Sequence, residues 1–154
     1  MKITLLVVGR LGRAPEALLA RDYAERATAA GRALGLGPVE VLEVESRKPG
    51  KAAEAEVLLG HLADAHVIAC DEHGQAPTSR AFAERIGRLR DDGVRRLVLI
   101  IGGADGLDAS VLKTARERIA FGPQTWPHAL VRAMLAEQVY RAVTILAGSP
   151  YHRD

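Results

Sequence analysis

The chain is short of the residues that staple or metallate small proteins. Its one cysteine, Cys70, excludes an intramolecular disulfide. The five histidines, at 61, 66, 73, 128 and 152, offer no local spacing that brings together the three or four ligands a zinc site needs, and no metal is expected. His61 and His66 diverge on a helix, and Cys70 with His73 makes only a pair. No stretch approaches the roughly 18 uninterrupted apolar residues of a membrane span. The opening MKITLLVVGRLGR is charged and then apolar, but its apolar run is too short for a signal core. Neither GxGxxG nor GxxxxGK[ST] occurs, so a dinucleotide or P-loop assignment fails. There is no internal repeat, low-complexity tract or linker.

What is present suits one domain over residues 1–154. Hydrophobic residues make up 48% and charged residues 26% of 154, enough for a single core without cross-links. The expected setting is cytoplasmic, where a free thiol is stable. Net charge is only +2, too little to attract nucleic acid by itself. Arginine far outnumbers lysine. Its planar fork matches phosphate oxygens, although a GC-rich genome produces the same bias.

Strand and helix patterns alternate along the chain. Lys2 to Val8, Val39 to Val44, Ala65 to Cys70 and Arg96 to Ile101 are β-rich and apolar, and a last short strand is expected over Val143 to Leu146. Helices are expected from Pro15, over Ala52 to Leu62, Ala81 to Arg90, Ala109 to Ile119 and Ala129 to Tyr140. Thr78 or Ser79 is a candidate cap for the third and Asp108 for the fourth, and Asp71 to Gly74 reads as a turn. The pattern predicts an α/β domain, a mostly parallel sheet with helices on both faces, and ligands in such sheets bind beyond the carboxyl ends of the strands.

Three stretches carry candidate chemistry. VLIIGGADGL, residues 98–107, ends a strand in glycines that let backbone N–H groups approach a ligand, although a plain strand-to-helix turn has the same look. GPQTWPHALVR, residues 122–132, holds the only tryptophan. Trp126 either staples the following helix against Leu130 or lines an adenine pocket, and His128 and Arg132 share a helix face. Glu137 and Arg141 read as a surface ion pair. Tyr151, His152 and Arg153 place a phenol, an imidazole and a guanidinium side by side near the end, able to stack on a base and hold an anion, or simply to be a polar tail. Cys70 lacks any cue for an activating base and reads as a buried or ligand-facing thiol.

Taken together, IIGGADGL, Trp126-Pro127-His128, Leu130-Val131-Arg132, Glu137 to Ala142 and the terminal Tyr151-His152-Arg153 resemble the RlmH family of SPOUT methyltransferases over the whole length. Leu6 to Gly9 and Asp71 to Gly74 match as well. The chain departs from the family pattern at Cys70, where leucine is common, and at Ala104-Asp105, where Pro-Glu is commoner. The resemblance implies a C-terminal segment drawn through a trefoil knot and a homodimer with no membrane partner. It also implies methylation of N3 of a pseudouridine in 23S ribosomal RNA, on assembled ribosomes. S-adenosylmethionine is implied to bind Cys70, Gly102, Gly103 and the loop Gly122, Pro123, Gln124, Thr125, Trp126, Pro127. His152, Arg153 and Tyr151 are the implied groups at the base, with His128 and Arg132 in support. Arg10, Arg13, Arg47, Lys48 and Lys51 are candidate phosphate contacts. The alternatives are a related enzyme acting on another RNA such as tRNA, and a non-catalytic nucleotide-binding module associated with ribosomes.

Overall fold

A computed structural model describes residues 1–153; Asp154 lies outside the described residues. The elements run β1 (Lys2–Val8), α1 (Pro15–Gly31), a 3₁₀ turn (Arg32–Leu34), β2 (Val39–Val44), α2 (Lys51–Leu59), β3 (His66–Gln75), α3 (Ser79–Asp91), β4 (Arg96–Ile101), α4 (Ala109–Leu112), β5 (Glu117–Ile119) and α5 (His128–Leu146). The five strands form one sheet in the order β2-β1-β4-β3-β5, and every pairing is parallel.

The two central strands explain the layering. Both β1 and β4 are apolar almost throughout, so they suit a position covered on both faces. Because side chains alternate across a strand, Ile3, Leu5, Val7, Leu97, Leu99 and Ile101 face one side, against α1, α3 and α5. Leu6, Val8, Val98 and Ile100 face the other, against α2 and α4. The result is a three-layer α/β fold, as the alternating pattern implied. No helix among the described residues is long and apolar enough to cross a membrane.

Three expectations fail, all beyond residue 70. The helix expected over Ala109 to Ile119 stops after one turn at Leu112, although Asp108 does cap it by accepting from Ser110 N at 2.9 Å. Arg116 N then donates to Val67 O at 2.9 Å, and Glu117–Ile119 joins the sheet as β5 outside β3. The strand expected over Val143 to Leu146 is the end of α5, whose Ala142 and Val143 continue the buried face that packs into the α1–α3 layer. The turn expected over Asp71 to Gly74 belongs to β3, which runs on to Gln75 through an irregularity, so that Ile119 pairs with both Cys70 and Gln75. Gly74 makes this possible: a Cβ there would stand 2.6 Å from Ile119 N.

A strand as short as β5 needs anchoring, and Glu117 supplies it. Its carboxylate accepts from Arg85 Nε of α3 at 2.8 Å and lies 3.0 Å from His66 Nε2 of β3. Burial works against ionisation of Glu117, but the hydrogen bonds from Arg85 and His66 outweigh it and hold the carboxyl below the usual range. A lowered folded-state pKa contributes stability that is complete above the unfolded value of about 4.3 and is lost as pH falls through the folded value. Glu117→Gln is therefore expected to lower stability near neutral pH and to flatten its decline below about pH 4.3, measured by urea unfolding across pH. An unchanged acid limb would assign the anchoring elsewhere.

Candidate active site

The parallel sheet brings the ends of β3 and β4 together, and a cavity of about 460 Å³ opens beyond them. Its walls are residues 70–73 in the second half of β3, residues 101–107 at the end of β4 and beyond it, the loop after β5 and the first turn of α5, with Lys51 and Leu112 from the opposite layer. The β4 wall is rich in glycine backbone, at Gly102, Gly103 and Gly106, beside Ala104, Asp105 and Leu107. At Gly102 a Cβ would meet the carbonyl of Gly106 at 2.7 Å, because Gly106, with φ +75°, folds the loop back and donates its N–H to Gly103 O at 3.0 Å. On the facing wall Trp126 donates Nε1–H to Phe121 O at 3.0 Å, which pins the ring of an otherwise exposed side chain at the cavity.

Of the residues expected to hold a cofactor, Cys70, Gly102, Gly103, Gly122, Gln124, Thr125 and Trp126 line this cavity, and His128 joins them. Pro123 and Pro127 do not. Pro127 instead sits at the N-cap of α5 and accepts from Val131 N at 3.0 Å. Burial pushes the Cys70 thiol up to about 12, so it remains a neutral wall group with no nucleophilic character near neutral pH. The charged lining is predominantly acidic: Asp71, Glu72 and Asp105 stand against Lys51. In a chain of net charge +2, that local excess favours a cationic or zwitterionic ligand.

The tail residues expected at the reacting base lie elsewhere on the chain. The tail folds against the second half of α5, where Tyr151 Oη donates to Glu137 Oε1 at 3.0 Å and His152 Nδ1 lies 3.2 Å from Arg141 Nη1. Tyr140 packs edge-on against Tyr151 with centroids 4.7 Å apart, and Arg141 stacks over the same ring at 4.9 Å. Burial, together with hydrogen bonds to Tyr23 and Glu137, raises the Tyr151 hydroxyl well above its ordinary value, so it donates and does not act as a base. At about 1.5 Å of rise per residue, Glu137 is on the order of 13 Å along α5 from His128. The tail and the cavity of the chain are therefore separate.

Arg132 departs further from expectation. It is 1% exposed and points into the fold, where Nη2 donates to Gly9 O at 2.8 Å and Nη1 faces Glu43 Oε1 at 3.1 Å. Nε has no hydrogen-bond partner among the described residues. Arg21 and the Leu11 backbone N–H, at 3.4 and 3.2 Å, also donate to Glu43. The cation that shares a helix face with His128 thus ties α5 to the β1–α1 loop and is not among the residues that line the cavity. The sequence placed Arg132 in support of the reacting groups; in the fold its guanidinium is turned inward.

A model of the family described as predicted SPOUT methyltransferases matches residues 1–152. The chain belongs to the SPOUT methyltransferase family. It is 78% identical over its full length to the full length of a ribosomal RNA large subunit methyltransferase H from Caulobacter sp. (strain K31), and 74% identical, again over both full lengths, to its namesake from Phenylobacterium zucineum (strain HLK1). Among solved structures, a probable methyltransferase from Bordetella pertussis Tohama I shares the fold at a TM-score of 0.52, with 14% identity, covering 92% of this chain and 96% of that one.

Sequence reasoning missed Glu43, which looked like one of several solvent-facing acids on β2. It also took Glu137 and Arg141 for a surface pair, when together they hold the tail. Residues so distant in sequence give no local signal of contact; Arg132 and Gly9 are 123 positions apart. Removing one partner of a buried ion pair strands the other charge, at about 3–5 kcal/mol. Glu43→Ala is expected to cost that much in urea unfolding, and adding Arg132→Met is expected to recover part of the loss. Simple additivity of the two substitutions would show that they do not act as a pair.

Proposed function

We propose that the protein methylates N3 of a pseudouridine in 23S ribosomal RNA on assembled ribosomes, in the cytoplasm, with S-adenosylmethionine as methyl donor. The observation that carries this reading is the cavity: glycine backbone and an apolar wall for a nucleoside, with an acidic lining around it. S-adenosylmethionine carries two cationic centres and one carboxylate, so its net positive charge suits that lining. A volume of about 460 Å³ is within the range of cofactor sites. When bound, the donor supplies a methyl group already activated by a sulfonium. The chain then has only to hold the target in line, accept the N3 proton and stabilise the resulting anion.

The residues divide these tasks. Gly102, Gly103, Cys70 and the loop 122–127 hold the donor, with Trp126 against its base. His128, at the cavity, and His152 with Arg153, on the tail, serve the target base. Arg10, Arg13, Arg47 and Lys48 are exposed on the loops after β1 and β2, at the same edge of the sheet as the cavity, and form a rim for RNA phosphates.

The separation of tail and cavity in one protomer supports a homodimer in which a second copy brings its tail to the first copy's cavity. Exposed apolar residues are available for that contact: Leu18 and Leu19 early in α1, and Leu130 at the start of α5, are 40–51% exposed. The order of β5 outside β3 followed by a return to α5 beside α1 is compatible with the knotted C-terminal segment that the resemblance implies.

Deleting residues 151–154 is expected to leave binding of S-adenosylhomocysteine intact in calorimetry while methyl transfer to ribosomes falls by at least about 100-fold, the scale of losing a group that acts at the reacting atom. Equal loss of binding and transfer would contradict the division between donor pocket and tail.

A further inference from the structure

The first turn of α2 borders the cavity through Lys51, and no donor contact has been assigned to that turn above. Lys51 is the only lysine or arginine among the described residues that lines the cavity, which separates it from the exposed basic groups of the rim. Glu54 lies three residues on, hence on the same helix face. Both its carboxylate oxygens stand 3.0 Å from where a Cβ of Gly103 would be, so Glu54 occupies the space over the glycine loop that any side chain would need. Glu54 is half-buried and makes no hydrogen bond or ion pair with another side chain among the described residues. A carboxylate drawn partly out of water without a partner is costly, and a cation placed beside it removes the cost.

We propose that the first turn of α2 reads the amino-acid end of the methyl donor, Lys51 pairing with its carboxylate and Glu54 accepting from its α-ammonium. This rests on the methyl-donor reading of the cavity. A zwitterion whose two charges sit on one carbon needs one cation and one anion close together, and two side chains three apart on a helix have Cβ atoms about 5–6 Å apart. Gly103 has to be glycine for Glu54 to come that close. The adenosine end then lies toward Trp126 and the loop after β5, and the sulfur lies between the two ends.

The test compares two ligands in calorimetry on the full chain. S-adenosylhomocysteine carries the amino-acid arm, whereas 5′-methylthioadenosine keeps the nucleoside and sulfur but lacks it. Lys51→Gln and Glu54→Gln are each expected to weaken S-adenosylhomocysteine by about ten-fold, the scale of one charge-assisted hydrogen bond, and to leave methylthioadenosine unchanged. Lys51→Arg is expected to restore part of the loss. Equal weakening of both ligands would overturn the proposal in favour of a structural role for α2. Unchanged binding of both, with a raised KM for ribosomes in Lys51→Gln, would also overturn it and return Lys51 to the phosphate rim. Failure of the unaltered protein to bind either ligand would sink the donor reading itself, an outcome distinct from either of these.

Discussion

The contact of Gly102 with the carbonyl of Gly106 is the constraint on which the site depends. It closes the loop after β4 so tightly that no side chain fits between, and it leaves the backbone of Gly102 and Gly103 in the cavity wall. That arrangement has meaning only because β4 lies at the centre of a sheet whose strands all run the same way. Parallel strands end together, so the loops after β3, β4 and β5 meet at one edge, and the basic loops after β1 and β2 line the same edge. An antiparallel neighbour would have sent one of those loops to the far side. The burial of β1 and β4 on both faces therefore fixes more than stability: it decides which loops share a cavity.

Helix α5 connects that edge to the rest of the molecule. Its first turn forms part of the cavity, its Arg132 reaches inward to Glu43 and the end of β1, and its second half carries the tail through Glu137 and Arg141. A single buried guanidinium thus sets where the helix starts relative to the basic loop after β1. Because it is desolvated, its hold is insensitive to salt in a way that the exposed rim is not. The rim can weaken with ionic strength while the pocket keeps its shape.

The sequence was legible where local pattern and environment agree. The bounds of β1, β2 and β4 follow from continuous or alternating apolar runs, and Thr78 and Asp108 cap their helices by ordinary side-chain chemistry. It was misleading where tertiary contact overrode propensity. Glu117 to Ile119 has no strand pattern of its own and is held in the sheet by β3 and by Arg85. Val143 and Thr144 are β-formers that stay helical because α1 and α3 bury that face. The glycines and Trp126 that line the cavity were legible as ligand-site candidates, since those residues mark backbone and aromatic surfaces. Glu43, Lys51 and Glu54 were not, because an acid or lysine on an amphipathic element looks the same whether it meets water or a distant loop.

The central claim joins a donor pocket to one atom of one nucleotide. Ribosomes lacking the methyl group, incubated with the protein and S-adenosylmethionine labelled in its methyl, decide it when the large-subunit RNA is digested and mapped by mass spectrometry. The account predicts the label on N3 of a single pseudouridine in 23S RNA of intact ribosomes. Label on another nucleotide, on tRNA, or on no RNA at all would contradict it.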